Sequence, residues 1–161
     1  MTLVTNEARI VADPDVPTIT ITREFESTPD KVFRCWTEQD LVERWLGPDG
    51  TVTRIDEWVC ETGGRYRYAT EVEGQEVAAF YGSFHEVRPS SRIVQTFTWG
   101  GAPDGVSLET ATFEELPGGR TQVTLLSVVD SMEAQRAMMS SGMEVGINDG
   151  FAKLDAMLES L

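Results

Sequence analysis

Apolar and polar residues alternate along the segment Thr18–Glu26, which is rich in Ile and Thr. Alternation of this kind is typical of a strand with one buried face, because successive side chains of a strand point to opposite sides of the sheet. We therefore predict a first strand in this segment, with Ile19 and Ile21 on its buried face.

The spacing of apolar residues changes after this strand and predicts two short helices. Thr28 and Pro29 suit the start of the first helix, since Thr can cap a helix and Pro already has a helical φ. Thr37 is a similar cap for a second helix, which Gly47-Pro48 ends. The residues expected to face inward are Val32, Phe33, Trp36, Leu41, Val42, Trp45 and Leu46.

Six further strand-like segments follow, and each is ended by residues that favour turns. Short connections between consecutive segments permit hairpins and leave no room for crossover helices, so they predict an antiparallel meander. The segments are Thr51–Val59, Arg65–Val72, Glu76–Val87, Arg92–Trp99, Val106–Glu115 and Thr121–Val128.

The C-terminal segment returns to helical spacing. Asp130 and Glu133 have the spacing of a capping box, and the apolar stripe beyond them predicts one helix of about 28 residues. The stripe consists of Met139, Met143, Ile147, Phe151, Leu154, Leu158 and Leu161.

A helix with one apolar stripe and a sheet with one apolar face can cover each other. We therefore predict an α+β helix-grip fold, in which a seven-stranded curved antiparallel sheet surrounds a long C-terminal helix. The first strand would pair with the last, and the two short helices would follow the first strand. Residues 1–17 would form an N-terminal arm, and residues 18–161 a single domain.

Charge argues against two classes of partner. The 161 residues include 13 Lys and Arg against 27 Asp and Glu, which leaves a formal net charge of −14. Binding to nucleic acid or to an anionic membrane requires basic side chains, so we expect neither partner.

We also expect a cytoplasmic protein, because the N-terminus lacks a signal-peptide pattern and Cys35 and Cys60 form no disulfide framework or metal motif.

Six short motifs occur along nearly the whole chain from Thr18 onward. They are STPDKVF at 27–33, WLGP at 45–48, GGRYRY at 63–68, YGSFHEV at 81–87, GGRT at 118–121, and SGME through LD at 141–155. Together they resemble the START-like (SRPBCC) superfamily, and more narrowly the bacterial branch named for the C-terminal domain of the activator of heat-shock-protein-90 ATPase. Leu46 departs from the pattern, since relatives usually carry a second aromatic residue there.

The resemblance implies a hydrophobic cavity between the sheet and the long helix. Across the superfamily such cavities bind lipids, polyketides, flavonoid-like aromatics or other apolar small molecules. Some relatives are aromatases or cyclases, and one group protects its host against enediyne antibiotics by being cleaved itself.

Candidate ligand-binding residues are aromatic side chains that share strand faces, together with part of the long helix. Packing in the core is the alternative interpretation for each of them, because cores and pockets use the same residue types. Trp45 is expected at the cavity rim, as a lid or equally as a packing contact to the sheet. The candidates are Trp45, Tyr66, Tyr68, Phe80, Phe84, Phe97, Trp99, Met139, Met143, Gly146 and Ile147.

Two features of the long helix have open interpretations. Methionines occupy its N-terminal half and leucines its C-terminal half, so the first half either fills the core or borders an adjustable ligand space. Gly142, Gly146 and Gly150 form an i, i+4, i+8 row, each at a cost of up to about 1 kcal/mol inside a helix. The row is expected to make room for a close strand or for cavity volume; the competing account is a contact in a homodimer.

The remaining chemistry-bearing residues indicate no reaction. His85 is the only histidine, and we expect a structural or surface role for it, because no nucleophile partner can be recognised. Glu109 and Arg65 could face the cavity and orient a polar ligand group, although solvated strand faces are the favoured interpretation. The acidic residues lack the spacing of a metal site, so we expect no metal and no cofactor.

We therefore expect a non-catalytic protein that binds an apolar or aromatic small molecule, such as a lipid, polyketide or flavonoid-like compound. The alternatives are a cyclase, aromatase or hydrolytic enzyme of the same fold, a chaperone-interacting module, and a self-sacrificing resistance protein. An enzyme would need a polar cavity residue with a shifted pKa, and the sequence alone identifies none.

Overall fold

The structure is a computed structural model and describes residues 6–161. This part of the chain forms one eight-stranded antiparallel sheet and four helices. In chain order the elements are β1 Arg9–Ala12, β2 Thr18–Phe25, α1 Pro29–Thr37, α2 Gln39–Trp45, β3 Val52–Trp58, β4 Arg65–Val72, β5 Gln75–Arg88, β6 Arg92–Trp99, β7 Ser107–Leu116, β8 Arg120–Val128, α3 Met132–Met139 and α4 Met143–Ser160.

The strands lie in the order β1-β2-β8-β7-β6-β5-β4-β3, which confirms the α+β class, the antiparallel meander and the pairing of the first predicted strand with the last. The expected number of seven strands is wrong, because Arg9–Ala12 adds an eighth strand beside β2. This edge strand has four residues, too short for alternation to identify it in the sequence.

The single long C-terminal helix is also wrong, since α3 and α4 are separate helices. Gly142 lies between them with φ of +83°, a left-handed conformation that favours glycine and interrupts the helical hydrogen bonds. Ser140 and Ser141 cover the end of α3 by donating their hydroxyls to the carbonyl oxygens of Arg136 and Met138. Gly142 is therefore a junction residue and does not lie in a helix interior.

Two helix starts differ by one residue from the expected caps. The N-cap of α2 is Glu38, and the Thr37 hydroxyl instead donates to the carbonyl oxygen of Phe33 at 3.0 Å. The N-cap of α3 is Ser131, whose hydroxyl oxygen accepts from the Ala134 amide. Both corrections leave the helices where the apolar spacing predicts them.

One end of the inner sheet face is packed solidly by α1, α2 and the C-terminal half of α4. Trp36 lies between Phe25 and Trp45, with ring centroids 5.9 and 4.8 Å from it, and Phe151 of α4 contacts the same group. Leu154 is fully buried next to them. The C-terminal half of α4 is therefore the part of the helix that anchors it to the sheet.

Two glycines let α4 approach the loop after α2. A Cβ atom at Gly150 would lie 2.9 Å from the carbonyl oxygen of Trp45, and one at Gly146 would lie 3.6 Å from Cδ of Pro48. The alternative that the row makes room for a close strand is wrong, because the neighbouring atoms belong to Trp45 at the end of α2 and to the loop that follows it. Close packing of backbone on backbone explains Gly150 without a dimer contact.

An ion pair between a buried arginine and a partly exposed aspartate also connects α4 to the sheet. Arg23 of β2 is 5% exposed, and its guanidinium donates to both carboxylate oxygens of Asp155 at 2.6 and 2.7 Å. The guanidinium carbon lies 4.6 Å from the centroid of the Phe25 ring. The ion pair compensates the charge of Arg23, which strand alternation places on the same inner face as Ile19 and Ile21.

Candidate ligand-binding site

Aromatic side chains cover the inner face of β3, β4, β5 and β6. Tyr68 stands opposite Phe80 in the register of β4 and β5, so the two share a face. The ring centroids of Tyr66 and Tyr68 are 6.1 Å apart, those of Tyr68 and Phe80 5.2 Å, and those of Phe80 and Phe97 5.3 Å. We call these four residues, Tyr66, Tyr68, Phe80 and Phe97, the aromatic row.

Exposure to solvent increases along the aromatic row. Tyr66 is 2% exposed, whereas Tyr68, Phe80 and Phe97 are half-buried. Trp99 follows at the end of β6 and is 51% exposed. The protein's own side chains therefore cover the row completely only at the end that adjoins the core.

Tyr66 is held in a fixed orientation by a gap in the β5–β6 ladder. Its hydroxyl donates to the carbonyl oxygen of Thr96 at 2.6 Å, and a Cβ at Gly82 would lie 2.8 Å from that hydroxyl. Only a residue without a side chain permits the ring to cross β5 here. Burial raises the pKa of Tyr66, so its phenol is neutral and serves as a donor.

Glu109 provides a carboxylate beside the aromatic row. It stands opposite Gln95 of β6 and Ser127 of β8 on the inner face, and it is half-buried. Ser107 donates its hydroxyl to one carboxylate oxygen at 2.7 Å, and Ser127 donates to the other. Burial raises the pKa of Glu109, and these two hydrogen bonds partly oppose that change. The favoured interpretation of Glu109 as a solvated strand charge is therefore wrong.

Arg65 and His85 lie away from this group. The side chain of Arg65 is 73% exposed and pairs with Glu57 at 2.6 Å on the outer face. His85 is exposed at the irregularity between β5 and β6. The structure therefore separates Glu109 from Arg65, which the sequence treats as equivalent candidates.

The candidates on the helices have different environments. Met143, Gly146 and Ile147 of α4 are half-buried, whereas Met139 at the end of α3 is 39% exposed. Trp45 is 5% exposed and donates its indole N–H to the carbonyl oxygen of Cys35 at 2.8 Å. It belongs to the core, so its expected place at a cavity rim is wrong and the packing alternative describes it.

Phe84 is a core residue as well. It is 2% exposed, and its ring centroid lies 5.2 Å from that of Tyr66 and 5.6 Å from that of Trp58. Trp58 is absent from the sequence-based candidates although it shares this face; it donates its indole N–H to the carbonyl oxygen of Thr37 at 2.6 Å. Period-two counting along β3 misses it, because the bulge between Ile55 and Glu57 moves Trp58 onto the face of Ile55.

Two surface grooves lie elsewhere on the molecule. One of about 510 Å³ is lined by polar side chains of β1 and β2, including Arg9, Thr20 and Thr22. The other, of about 400 Å³, lies near the irregular stretch of β5 and β6 and includes Tyr81 and Ser83. Neither lining includes a residue of α3 or α4, so neither groove is the predicted cavity between the sheet and the C-terminal helix.

The cysteines and acidic residues add no further site. Cys35 and Cys60 are free thiols, and burial raises the pKa of Cys35 to about 11 and that of Cys60 to about 12. Such thiols are poor nucleophiles at neutral pH. Within residues 6–161, no three His, Cys, Asp or Glu side chains are grouped as metal ligands.

In the same part of the chain, no helix has the length and apolar character of a transmembrane span.

Comparison with known proteins identifies the family. The profile described as "Activator of Hsp90 ATPase homolog 1-like protein" matches residues 26–159. The chain belongs to this family. The match includes the aromatic row, Glu109 and all but the last residue of α4, and it confirms the START-like resemblance that the sequence motifs predict. The comparison with curated proteins found none similar to the chain.

Solved structures of bacterial proteins share the fold of this family member. A Rhodobacter sphaeroides protein has a TM-score of 0.85 at 23% identity, with 96% of this chain and 100% of that chain covered. Protein Ms6760 from Mycobacterium smegmatis has a TM-score of 0.82 at 23% identity, covering 93% and 95%. An Arthrobacter aurescens protein has a TM-score of 0.84 at 24% identity, covering 95% and 92%. The START-like fold is typically a ligand-binding domain.

Proposed function

We propose that this protein binds an apolar or aromatic small molecule, such as a lipid, polyketide or flavonoid-like compound, without converting it. The ligand lies between the inner face of the sheet and the helices α3 and α4. The observation that supports this most strongly is the half-buried state of Tyr68, Phe80 and Phe97, whose rings stack on one another but remain partly open to solvent.

The energy for binding comes from covering these rings. Burial of about 300 Å² of apolar ligand surface contributes a gross stabilisation of about 7 kcal/mol before the costs of association. Tyr68, Phe80 and Phe97 prefer aromatic partners in offset or edge-on arrangements. Met143 and Ile147 from α4 are half-buried apolar side chains that contribute to the opposite wall.

A pair of variants on adjacent residues of β5 tests this proposal. Phe80 lies on the inner face, whereas Tyr81 is 38% exposed on the outer face. In NMR titrations with a panel of lipids, flavonoids and polyketides, Phe80→Ala should weaken binding about tenfold because it removes a stacking surface. The control variant Tyr81→Ala should leave the affinity unchanged.

Chemical shifts identify where the ligand binds. Perturbations at Tyr68, Phe97 and Ile147 support the proposed site, whereas perturbations confined to the outer grooves contradict it. Turnover of a bound compound would instead support the alternative of a cyclase, aromatase or hydrolytic enzyme. Equal effects of Phe80→Ala and Tyr81→Ala would also contradict the proposed site.

A second candidate function is protein binding through the outer face of the sheet. Three neighbouring apolar residues of β7 and β8 are exposed there: Leu108 by 45%, Leu126 by 36% and Val128 by 38%. Val11, 44% exposed, lies on the same face beyond Thr20 of β2. Contiguous exposed apolar side chains often mark interaction surfaces, which favours the chaperone-interacting alternative. Titration with purified heat-shock-protein-90 tests it: binding that Leu126→Ser abolishes supports this function, and no binding removes it.

A further inference from the structure

The inner face of the sheet carries two ionisable residues whose environments differ. Arg23 has a carboxylate partner, Asp155, in a two-pronged ion pair. Glu109 takes part in none of the ion pairs formed within residues 6–161. An ionised carboxylate that is withdrawn from water without a cation is costly, so buried charges are normally paired.

The serine hydroxyls satisfy only part of the Glu109 carboxylate. Ser107 donates to Oε1 and Ser127 donates to Oε2, one hydrogen bond to each oxygen. A carboxylate has about four acceptor positions, so about two are left for another donor. The two serines also hold the carboxylate in a fixed orientation, which is the usual arrangement of a polar group that recognises a ligand.

Aromatic rings surround the same position. Phe97 stands directly opposite Ser107 on the inner face. Burial is the main cause of the raised pKa of Tyr66 and of Tyr68, and the nearby charge of Glu109 raises both further. Aromatic faces attract cations as well as apolar groups. A cation at Glu109 would therefore gain from both the carboxylate and the rings.

We infer that Glu109, with Ser107, Ser127 and the aromatic row, recognises the protonated amine of an amphipathic ligand whose apolar body stacks on the row. This inference rests on the proposed function and deepens it by naming the polar group of the ligand. The net charge of −14 favours the approach of a cation over that of an anion.

Among the groups of residues 6–161 that face the site, Glu109 is the carboxylate left without a cationic partner. From the neighbouring strands the facing groups are Tyr66 and Tyr68, both neutral phenols, and the amide of Gln95. From α4, Lys153 donates to the carbonyl oxygen of Gly47, and Asp155 is engaged by Arg23. Arg136 of α3 is exposed.

Two probes that differ in one group test the inference at pH 7 by calorimetry. They are 2-(1-naphthyl)ethylamine and 2-(1-naphthyl)ethanol, which share the apolar body. The wild-type protein should bind the amine at least about tenfold more tightly than the alcohol, because only the amine offsets the carboxylate charge. Glu109→Gln should remove this preference and leave the affinity for the alcohol within about threefold.

Glu114→Gln is the matched control, since it makes the same chemical change at an exposed position of the same strand. This variant should keep the preference for the amine. A preference that survives in Glu109→Gln would show that the general negative charge attracts the amine, and the inference would be overturned. Equal affinities of the wild type for the two probes would overturn it as well.

The alcohol separates the failure of this inference from the failure of the proposed function. Alcohol binding with shifts at Phe97, but without amine preference, overturns the inference alone. Failure of both probes to bind overturns the inference and the proposed function together.

Ser127→Ala gives a second readout that keeps the carboxylate. In the wild type the affinity for the amine should fall as pH is lowered and Glu109 takes up a proton. In Ser127→Ala the same loss of affinity should occur at a higher pH, because the ionised carboxylate has lost a hydrogen-bond donor. An unmoved pH profile counts against the inference.

Discussion

The two ends of the inner sheet face are built from similar side chains and differ in how they are covered. At one end Phe25, Phe151 and Leu154 are at most 3% exposed. At the other end Phe80 and Phe97 are half-buried although they are equally large and apolar. Residue type therefore does not decide which aromatic residues are core and which can receive a ligand; coverage by the helices does.

The helices differ between the two ends in two ways. At the packed end α1, α2 and α4 pack together against the sheet, and Gly150 allows α4 to touch the backbone at Trp45. At the open end α3 and α4 are separated by the junction at Gly142.

The largest expected effect compares the two halves of α4. Leu154→Ala should lower the free energy of unfolding by about 3 kcal/mol, because it leaves a cavity in a fully packed region. Ile147→Ala should lower it by only about 1 kcal/mol, since the side chain is half-buried. Urea unfolding measures both. Equal losses would show that the two halves of α4 are packed alike and would remove the comparison.

The next effect compares two glycines one helical turn apart. Gly150→Ala should destabilise the protein by about 2 kcal/mol, because its Cβ would press on the carbonyl oxygen of Trp45. Gly146→Ala should stabilise it by up to about 1 kcal/mol, since its Cβ finds ordinary contact with Pro48 and the helix gains propensity. Thermal unfolding distinguishes them, and a stabilising Gly150→Ala would contradict the close approach. Ligand affinity of the Gly146→Ala variant shows in addition whether this position borders the ligand.

A smaller effect concerns how stability depends on pH through Glu109. Burial raises its pKa in the folded state above that in the unfolded state, so the folded state holds the proton to higher pH. The contribution of Glu109 to stability is thus present at low pH and is lost as pH rises through the folded-state pKa. Compared with the wild type, Glu109→Gln should gain free energy of unfolding as pH rises above about 4.3, the ordinary pKa of a glutamate, until Glu109 is ionised in the folded state as well. Urea unfolding at a series of pH values measures the difference, and Glu114→Gln should show no such trend; a parallel course of wild type and Glu109→Gln would refute the raised pKa.

The smallest effect is expected at Arg65, on the outer face. Arg65→Ala should change the free energy of unfolding by less than about 0.5 kcal/mol, because exposed ion pairs contribute little. It should leave the affinity for the naphthyl probes unchanged, in contrast to Glu109→Gln. A loss of amine binding in Arg65→Ala would mean that the outer face takes part in recognition. Calorimetry and urea unfolding of the same sample provide both values.

Much of the fold follows from local patterns in the chain. Alternation identifies β2 and the meander, and Pro29 and Gly47-Pro48 mark the ends of the helical segment between them. The family motifs lie at the same turns and strands, so the START-like resemblance and the strand alternation agree. The short strand β1 is not predicted from the sequence, because four residues are too few to show an alternation of apolar and polar positions. Its formation depends on pairing with β2.

The candidate site is predicted less completely. Tyr66, Tyr68, Phe80 and Phe97 follow from alternation and the family resemblance, but alternation does not separate them from Phe84, which is core. Glu109 lies two residues before Ala111 and four before Phe113, so alternation puts all three on the same face of β7. Sequence analysis nevertheless favours a solvent-exposed position for it, because charged side chains are seldom buried. Ser107 lies two residues before Glu109 on β7, whereas Ser127 of β8 is brought beside it by the strand register alone.

The amino-acid sequence alone determined the α+β class, the order of the elements and the faces on which the large apolar side chains lie, because these depend on local periodicity and turn chemistry. Tertiary structure decided which aromatic residues are covered, where the C-terminal helix breaks and that Glu109 is withdrawn from water beside two hydroxyls. These properties depend on contacts between residues far apart in the chain, and no local pattern encodes the depth at which such contacts place a side chain.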